Sequence, residues 1–430
     1  MNIIPENLVA AFKERQRLEP TRQISFLLGS GFSRADKMPL VGEINARLTG
    51  MGVDDFYLRQ DMSAGFYNGD YRDPNAKMST IKRRFAVAFI QFYISSVLDG
   101  AVGNFNYEVF FDYFNEFFYE KRHQDEITGF WEAFVRENNL GNRFDKPRQL
   151  ISDFLNLFNQ LVASLLIRAR HYENASWTGA YTNYEYFCIA MNGLLKERIV
   201  NVHSLNHDIL FDWIGTNVTG FWDYFTDGFS EMESPYYGEL RKDYRIDDRD
   251  VYKTYKVRVP KYTGMYNNRL KFYKLHGSVN YYALTLAESG EQLMVKRDYG
   301  VGEMYREHFN ERIKKFEYDS PFSRQYPSYL TGTTQKIIRY AEPFYNNLFD
   351  HFKSNLKNSE QLIVIGYGFQ DKGINEILET DYLKTGKSII VIDVRIPSSE
   401  LIDKYKDQFR FEIGSVSDIH HDVYYKYIGL

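Results

Sequence analysis

Four short segments hold residue types that do chemistry, and each follows an apolar run. They are Gly29-Ser30-Gly31-Phe32-Ser33, Ser204-Leu205-Asn206-His207-Asp208, Leu275-His276-Gly277-Ser278 and Gly366-Tyr367-Gly368-Phe369-Gln370-Asp371. Gly29 and Gly31 permit backbone N–H groups to approach an anion, and the dipole of a following helix favours its charge. Ser33 and Arg34 add side-chain donors. Arg34 stands where a G-x-G-x-x-G fingerprint has its third glycine, which argues against a hydride-transferring dehydrogenase. A structural turn between strand and helix accounts for the same glycines. Asn206 and Asp208 place an amide and a carboxylate two residues apart, able to orient a ribose, an amide or an attacking water. An Asx turn or helix cap explains that pair as well. His276 has the side chain best suited to general-base work near neutrality, and a core histidine bonded to backbone is its alternative. Gly277, Gly366 and Gly368 allow close approach of a ligand. Asp393, ending the last strong apolar run, offers an acid for a ribose hydroxyl or for a cap.

These groups act together only if rigid elements bring them to one place. Ile24–Leu28 predicts a strand, and Val41–Leu48, apolar at 41, 44 and 48, predicts a helix. Arg198–His203 and Lys271–Leu275 predict two more strands. Gln361–Ile365 and Ser388–Val394 are near-continuous apolar runs, as buried parallel strands require. The helix-length segment Asp371–Leu383 between them completes a βαβ unit. All four segments then fall at carboxyl ends of strands, the edge where open parallel sheets bind ligands. The expected fold class is α/β, a Rossmann-like parallel sheet with a large helical insertion. Leu150, Ile151, Phe154, Leu155, Phe158, Leu161, Val162, Leu165 and Leu166 follow helical spacing, and Phe85–Leu98, Glu108–Phe118 and Tyr184–Leu195 predict further helices. The expected organisation is one discontinuous domain. Residues 1–80 and 198–430 form the sheet part and 81–197 the helical module. The polar, Tyr-rich stretch 219–262 is either a surface excursion or a small antiparallel elaboration.

Composition narrows the class. Of 430 residues, 44% are hydrophobic and 26% charged, which argues against a disordered chain. With 53 Lys and Arg against 57 Asp and Glu, the net charge of −4 gives direct nucleic-acid binding no support. Cys188 is the single cysteine, so no internal disulfide and no multi-cysteine zinc motif is possible. His203 and His207 lack metal-ligand spacing and His420–His421 is only a weak pair, so no metal site is expected. The N-terminal residues lack the long apolar core of a signal peptide, and Phe85–Leu98 is too short to cross a bilayer. A cytoplasmic protein without a membrane partner is the expectation. Aromatic residues reach 17%, densest over Phe105–Tyr119. Phe110, Phe114, Phe117 and Phe118 share one helical face there, which predicts packing inside the module.

Together the segments resemble the sirtuin-like family, and more narrowly its bacterial antiphage-defence branch. LLGSGFS at 27–33 matches the family's glycine turn with a following serine. Ser204-Leu205-Asn206-His207-Asp208 matches its T-x-N-x-D segment with serine for threonine, and KLHGSVNY at 274–281 matches its histidine-glycine pair. IGYGFQD at 365–371 matches a late segment of the defence branch. The matches cover about half the chain and keep the family's order. The four-cysteine zinc module of the deacetylases cannot exist here, so the resemblance implies no zinc and NAD+ cleavage in place of deacylation. It implies that NAD+ is a substrate, hydrolysed to nicotinamide and ADP-ribose to deplete an infected cell. By resemblance, Gly29, Ser30, Gly31, Phe32 and Ser33 hold the pyrophosphate, and Gly277 allows close approach. Asn206 orients ribose and water, Asp208 supports the nicotinamide end, and His276 acts as base or orients a ribose hydroxyl. Gly366, Tyr367, Gly368 and Asp393 lie on the adenosine side. The resemblance also implies a homo-oligomer and a separately encoded partner: a HerA-type ATPase, an Argonaute or a phage protein. Cyclisation, ADP-ribosyl transfer, a non-catalytic NAD+ or ADP-ribose sensor and a nucleic-acid-processing subunit remain as alternatives.

Overall fold

The computed structural model describes residues 22–58, 64–67, 80–140, 147–166, 183–218, 220–246, 249–298, 301–329 and 343–428. Its centre is a sheet of seven strands: β1 (Gln23–Leu28), β2 (Ile199–Ser204), β3 (Phe225–Thr226), β4 (Leu270–Lys274), β5 (Ser359–Ile365), β6 (Ile389–Asp393) and β7 (Phe409–Ile413). Their spatial order is β7-β6-β5-β1-β2-β4-β3, and every pairing is parallel. The chain leaves β1 toward β2 on one flank and later returns to its other flank as β5. β1 therefore lies at a topological switch point, where loops diverge and leave a crevice at the carboxyl edge.

The apolar runs are continuous because both faces of the sheet are covered. On one face Ile24, Phe26, Val200, Val202, Phe272, Ile363 and Ile390 pack with helices Glu185–Leu195, Leu210–Asn217 and His421–Ile428. On the other, Leu27, Tyr273, Leu362, Val364 and Val391 pack with helices Pro343–Asn358 and Lys372–Asp381. The fold class is α/β, Rossmann-like, with helical segments inserted after the first strand.

The inserted helices are Thr80–Phe92, Tyr107–Glu120, Gln124–Glu137 and Pro147–Leu166. The stretch expected as one helix over Phe85–Leu98 ends its α-helical part at Phe92 and continues as a π-turn over Tyr93–Val97. The module's core is largely aromatic. Phe89 alone has Phe114, Phe130 and Phe154 at ring-centroid distances of 4.9, 5.1 and 5.4 Å. Phe110, Phe114 and Phe117 are buried, so this face of the aromatic-rich helix is packed inward. The same core takes in Ile44, Leu48 and Phe66 upstream, and Val279 far downstream.

The stretch 219–262, expected as either a surface excursion or a small antiparallel elaboration, is built of strands. It begins with β3 in the main sheet and runs on well past residue 262, to Tyr329. Phe322–Tyr329, Gly277–Leu286, Gln292–Lys296, Lys261–Met265 and Gly228–Ser230 form one antiparallel sheet in that order. Lys315–Asp319, Val301–Asn310, Tyr236–Ile246 and Arg249–Arg258 form another. No helix among the described residues is long and apolar enough to cross a membrane.

Candidate functional site

The four segments emerge from β1, β2, β4 and β5, which are adjacent at the carboxyl edge. Backbone bonds set their spacing. Leu205 N–H donates to Leu28 O and Leu275 N–H donates to Ser204 O, each at 2.9 Å. Val279 N–H donates to His207 O at 3.0 Å, so the strand leaving His276 is hydrogen-bonded to the Asn206 segment.

The glycines have a more specific task than a ligand cradle. Gly29 N–H donates to Ile365 O and Gly31 N–H to Gly366 O, both at 2.9 Å. Those amides, expected to face a pyrophosphate, are spent on joining the first segment to the fourth. A Cβ at Gly29 would lie 2.4 Å from Gly366 O, and one at Gly31 would lie 2.6 Å from Gly366 Cα. Gly366 has φ +63° and a Cβ there would meet Phe32 N at 2.4 Å. Only backbone without side chains fits where the two loops cross. Ser30, by contrast, is exposed on the first turn, while Phe32 is core and packs edge-on or tilted among Tyr184, Phe187 and Phe211.

Ser33, Asn206 and Asp208 form one hydrogen-bonded group. Asn206 Nδ2 donates to Gly29 O at 2.8 Å and to Ser33 Oγ at 2.9 Å. Ser33 Oγ donates to Asp208 Oδ2 at 2.8 Å. Asp208 Oδ1 accepts from Leu210 N–H at 2.9 Å, so the Asx turn considered above is also present. Burial pushes the Asp208 carboxyl above its usual range, against the pull of the Lys274 ammonium and these hydrogen bonds. With its amide hydrogens engaged by Gly29 and Ser33, Asn206 keeps its carbonyl oxygen Oδ1 to accept from a water or a ribose hydroxyl.

His276 joins the third segment to the fourth. It is 5% exposed, and its Nε2 lies 3.4 Å from Asp371 Oδ2. The other Asp371 oxygen caps helix Lys372–Asp381 by accepting from Ile374 N–H at 3.2 Å. Asp371 is thus both a helix cap and the carboxylate beside the histidine. It was passed over as a site residue, although the acid closing Gly-Tyr-Gly-Phe-Gln-Asp was the signal for it. Tyr367 is buried, and its hydroxyl donates to Asn375 Oδ1 at 3.1 Å and accepts from Asp371 N–H at 3.2 Å. Its hydroxyl therefore braces this loop. Gly277, at φ +77°, makes the turn out of His276. Gly368 is exposed, and a Cβ there would meet only the Gln370 side chain, at 3.9 Å. Asp393 ends β6, next to the strand that carries Gly366, and accepts from Arg395 N–H at 3.4 Å. It stands one strand further along the edge than the other groups.

Cys188 is fully buried, and burial pushes its thiol up to about 12, outside the range of a nucleophile near neutrality. Among the described residues, His420, His421 and Asp422 are placed so that they could hold a metal ion, but they are sequence neighbours at the start of the last helix.

The class that fold and site define is a doubly wound α/β protein with a compact polar group at the carboxyl edge of its switch point. No family model matches the chain, and no curated protein matches it. Among solved structures, it is similar in extent to a triple mutant of a Sir2 homologue in complex with 2'-O-acetyl-ADP-ribose. Identity is 10%, the alignment covers 99% of this chain and 97% of that chain, and the TM-score is 0.36.

Proposed function

We propose that the chain is an NAD+ glycohydrolase that cleaves the bond between nicotinamide and ribose, acting as an effector of antiphage defence in the cytoplasm. The observation that carries this reading is the convergence of Ser33, Asn206 and Asp208 with the His276–Asp371 pair on one sheet edge. The motif resemblance names the ligand. In the reaction, the bond from ribose C1' to the nicotinamide ring nitrogen breaks, and its electron pair neutralises the pyridinium. The ribose becomes oxocarbenium-like. Asn206 Oδ1 holds a water against C1', the water oxygen forms the new bond, and its proton passes to His276. Asp371 orients the imidazole. Asp208 holds Ser33 and, through it, the Asn206 amide.

The phosphates need donors other than the Gly29 and Gly31 amides. The exposed first turn around Ser30 supplies a polar surface beside the crevice, and Gly368 leaves room on the adenosine side, with Asp393 beyond it. A homo-oligomer and a separately encoded partner, an ATPase of the HerA type, an Argonaute or a phage protein, belong to the same proposal. A hydrolase that drains NAD+ has to be held inactive in a healthy cell.

Incubating the purified chain with NAD+, alone and with the products of neighbouring genes, and separating the products by chromatography tests this. Nicotinamide plus ADP-ribose, lost in Asn206→Ala, supports hydrolysis. A cyclic product or a modified protein redirects the reading to cyclisation or transfer. Saturable NAD+ binding with no product under any of these conditions refutes the enzyme and leaves a sensor.

A further inference from the structure

Behind the Asp208 segment lies a second polar cluster that the proposed chemistry does not use. Asp212, in helix Leu210–Asn217, places Oδ2 at 3.3 Å from Lys274 Nζ and Oδ1 at 2.6 Å from Lys296 Nζ. Lys296 Nζ also lies 2.7 Å from Asp227 Oδ2. Lys274 Nζ donates a further hydrogen bond to the Asp208 carbonyl oxygen. The four side chains come from the helix after the Asp208 loop, the end of β4, the turn after β3, and antiparallel strand Gln292–Lys296. Lys274 is 1% exposed, and Asp212 and Asp227 are buried.

Two lysines face two aspartates, and burial holds Lys274 below its ordinary range against the pull of Asp212 and Asp208. Burial pulls Lys296 down, but the Asp212 and Asp227 carboxylates outweigh it and hold the ammonium above its ordinary range. For Asp212 burial pushes the other way, and Lys274 and Lys296 outweigh it. The Asp212 carboxyl is thereby held below its ordinary range, and each contact is directional. Apolar side chains of similar volume would serve stability as well, because removing four ionic groups from water costs about what their pairing returns. What ion pairs add is fixed position. The cluster meets the site loop at one atom, the Asp208 carbonyl oxygen, and the antiparallel sheet at Lys296.

We infer that Asp212, Asp227, Lys274 and Lys296 are positioning residues that help fix the loop carrying Asn206 and Asp208, and that Lys296, beside the Val279–His207 bond, is a second tie by which the antiparallel sheet sets that loop's working geometry. Resting on the proposed function for its kinetic arm alone, the inference makes the antiparallel part a component of the site. A shift of that sheet would reset the Asn206 amide without touching any group that contacts substrate.

The test is amide hydrogen exchange on the ligand-free full chain, parent against Lys296→Met. The segment 204–210 exchanges at least about tenfold faster in the variant, while β5 and β6 keep the parental rate, because the loop loses one of its anchors and those strands lose none. A folded Lys296→Met whose 204–210 segment exchanges at the parental rate overturns the inference. Lys296→Arg, which keeps the charge, restores most of the protection. Should Lys296→Met fail to fold, Asp227→Asn removes one outer partner at nearly constant volume and carries the same comparison. In NAD+ turnover the expected change is in kcat, about tenfold to a hundredfold down with KM little moved, since a small misplacement of a positioned group acts mainly on the reacting geometry. A parent that turns over no NAD+ counts against the proposed function, and the exchange result still decides the inference.

Discussion

The sheet edge and the helical module bury their side chains for opposite reasons. In the module, Phe85, Phe89, Phe110, Phe114, Phe154 and Phe158 fill space with rings and no polar atoms. At the edge, Ser33, Asp208, Asp212, Lys274 and His276 are buried as well, and what holds them is directional bonding. A core of rings tolerates small shifts, because dispersion and burial are non-directional. A buried polar group loses its partner with a small displacement, and its uncompensated desolvation then makes that displacement costly. The chain's aromatic surplus is therefore concentrated in a different place from its chemistry. The two regions still touch. Val279 and Ile209, one on each side of the site loops, pack against the aromatic core.

The largest expected effect is on the module. Phe89→Ala removes a ring with several aromatic neighbours and costs about 3–5 kcal/mol of stability, measured by denaturant unfolding. NAD+ affinity of the folded fraction stays within about twofold of the parent, by independence of distant sites. A large loss of affinity would show that Val279 and Ile209 transmit module packing to the edge and that the regions are not separable.

His276→Ala reverses the pattern. Turnover falls about 10²–10⁴-fold, the range for loss of a general base, and NAD+ binding by calorimetry persists. The prediction fails if the variant turns over NAD+ at the parental rate. Asp371→Asn keeps the shape and the cap but removes the carboxylate, and its loss is smaller than that of His276→Ala.

A third measurement separates the edge from the strand behind it. His203 is fully buried in β2, with Nδ1 3.1 Å from Phe26 O and Nε2 3.1 Å from Asn355 Nδ2. Burial lowers it from 6.5 to about 3. The folded state thus holds the ring neutral where the unfolded chain would take up a proton. Its contribution is fully present above pH 6.5 and is lost as pH falls from there toward 3, about 2 kcal/mol by pH 5. Unfolding midpoints between pH 7 and 5 read this directly, and His203→Gln flattens that part of the slope.

The smallest effect is Tyr113→Phe in the module. Its hydroxyl donates to Glu126 Oε2 at 3.2 Å, so the loss is about 0.5–1.5 kcal/mol, with activity unchanged.

Much of this was legible along the chain. β1, β5 and β6 are apolar runs with the length and continuity of buried strands, and Pro147 followed by nine apolar residues at helical spacing marks helix Pro147–Leu166. The strands Gly277–Leu286, Gln292–Lys296, Val301–Asn310, Lys315–Asp319 and Phe322–Tyr329 were not foreseen. Their alternation is broken by Tyr, Thr, Arg and Glu, which sit on both faces of twisted antiparallel hairpins, and the pairing that stabilises them is non-local. Lys274 and Lys296 were missed for a simpler reason. Lysine is ordinarily a surface residue, and only its partners reveal a buried one.

By itself the sequence determined the composition of the site: which segments end in glycine, amide, carboxylate and imidazole, and that a lone cysteine excludes a cysteine zinc module. Local stereochemistry and hydrophobic periodicity act over a few residues, so they can be read from a few residues. The tertiary structure decided what those groups do. It joined Gly29 to Ile365 and Gly31 to Gly366 instead of leaving their amides open, paired His276 with Asp371, and set two lysines behind Asp208. Each of these links residues far apart in the chain. Their energies depend on distance and burial, which exist only once the sheet has brought its strands together.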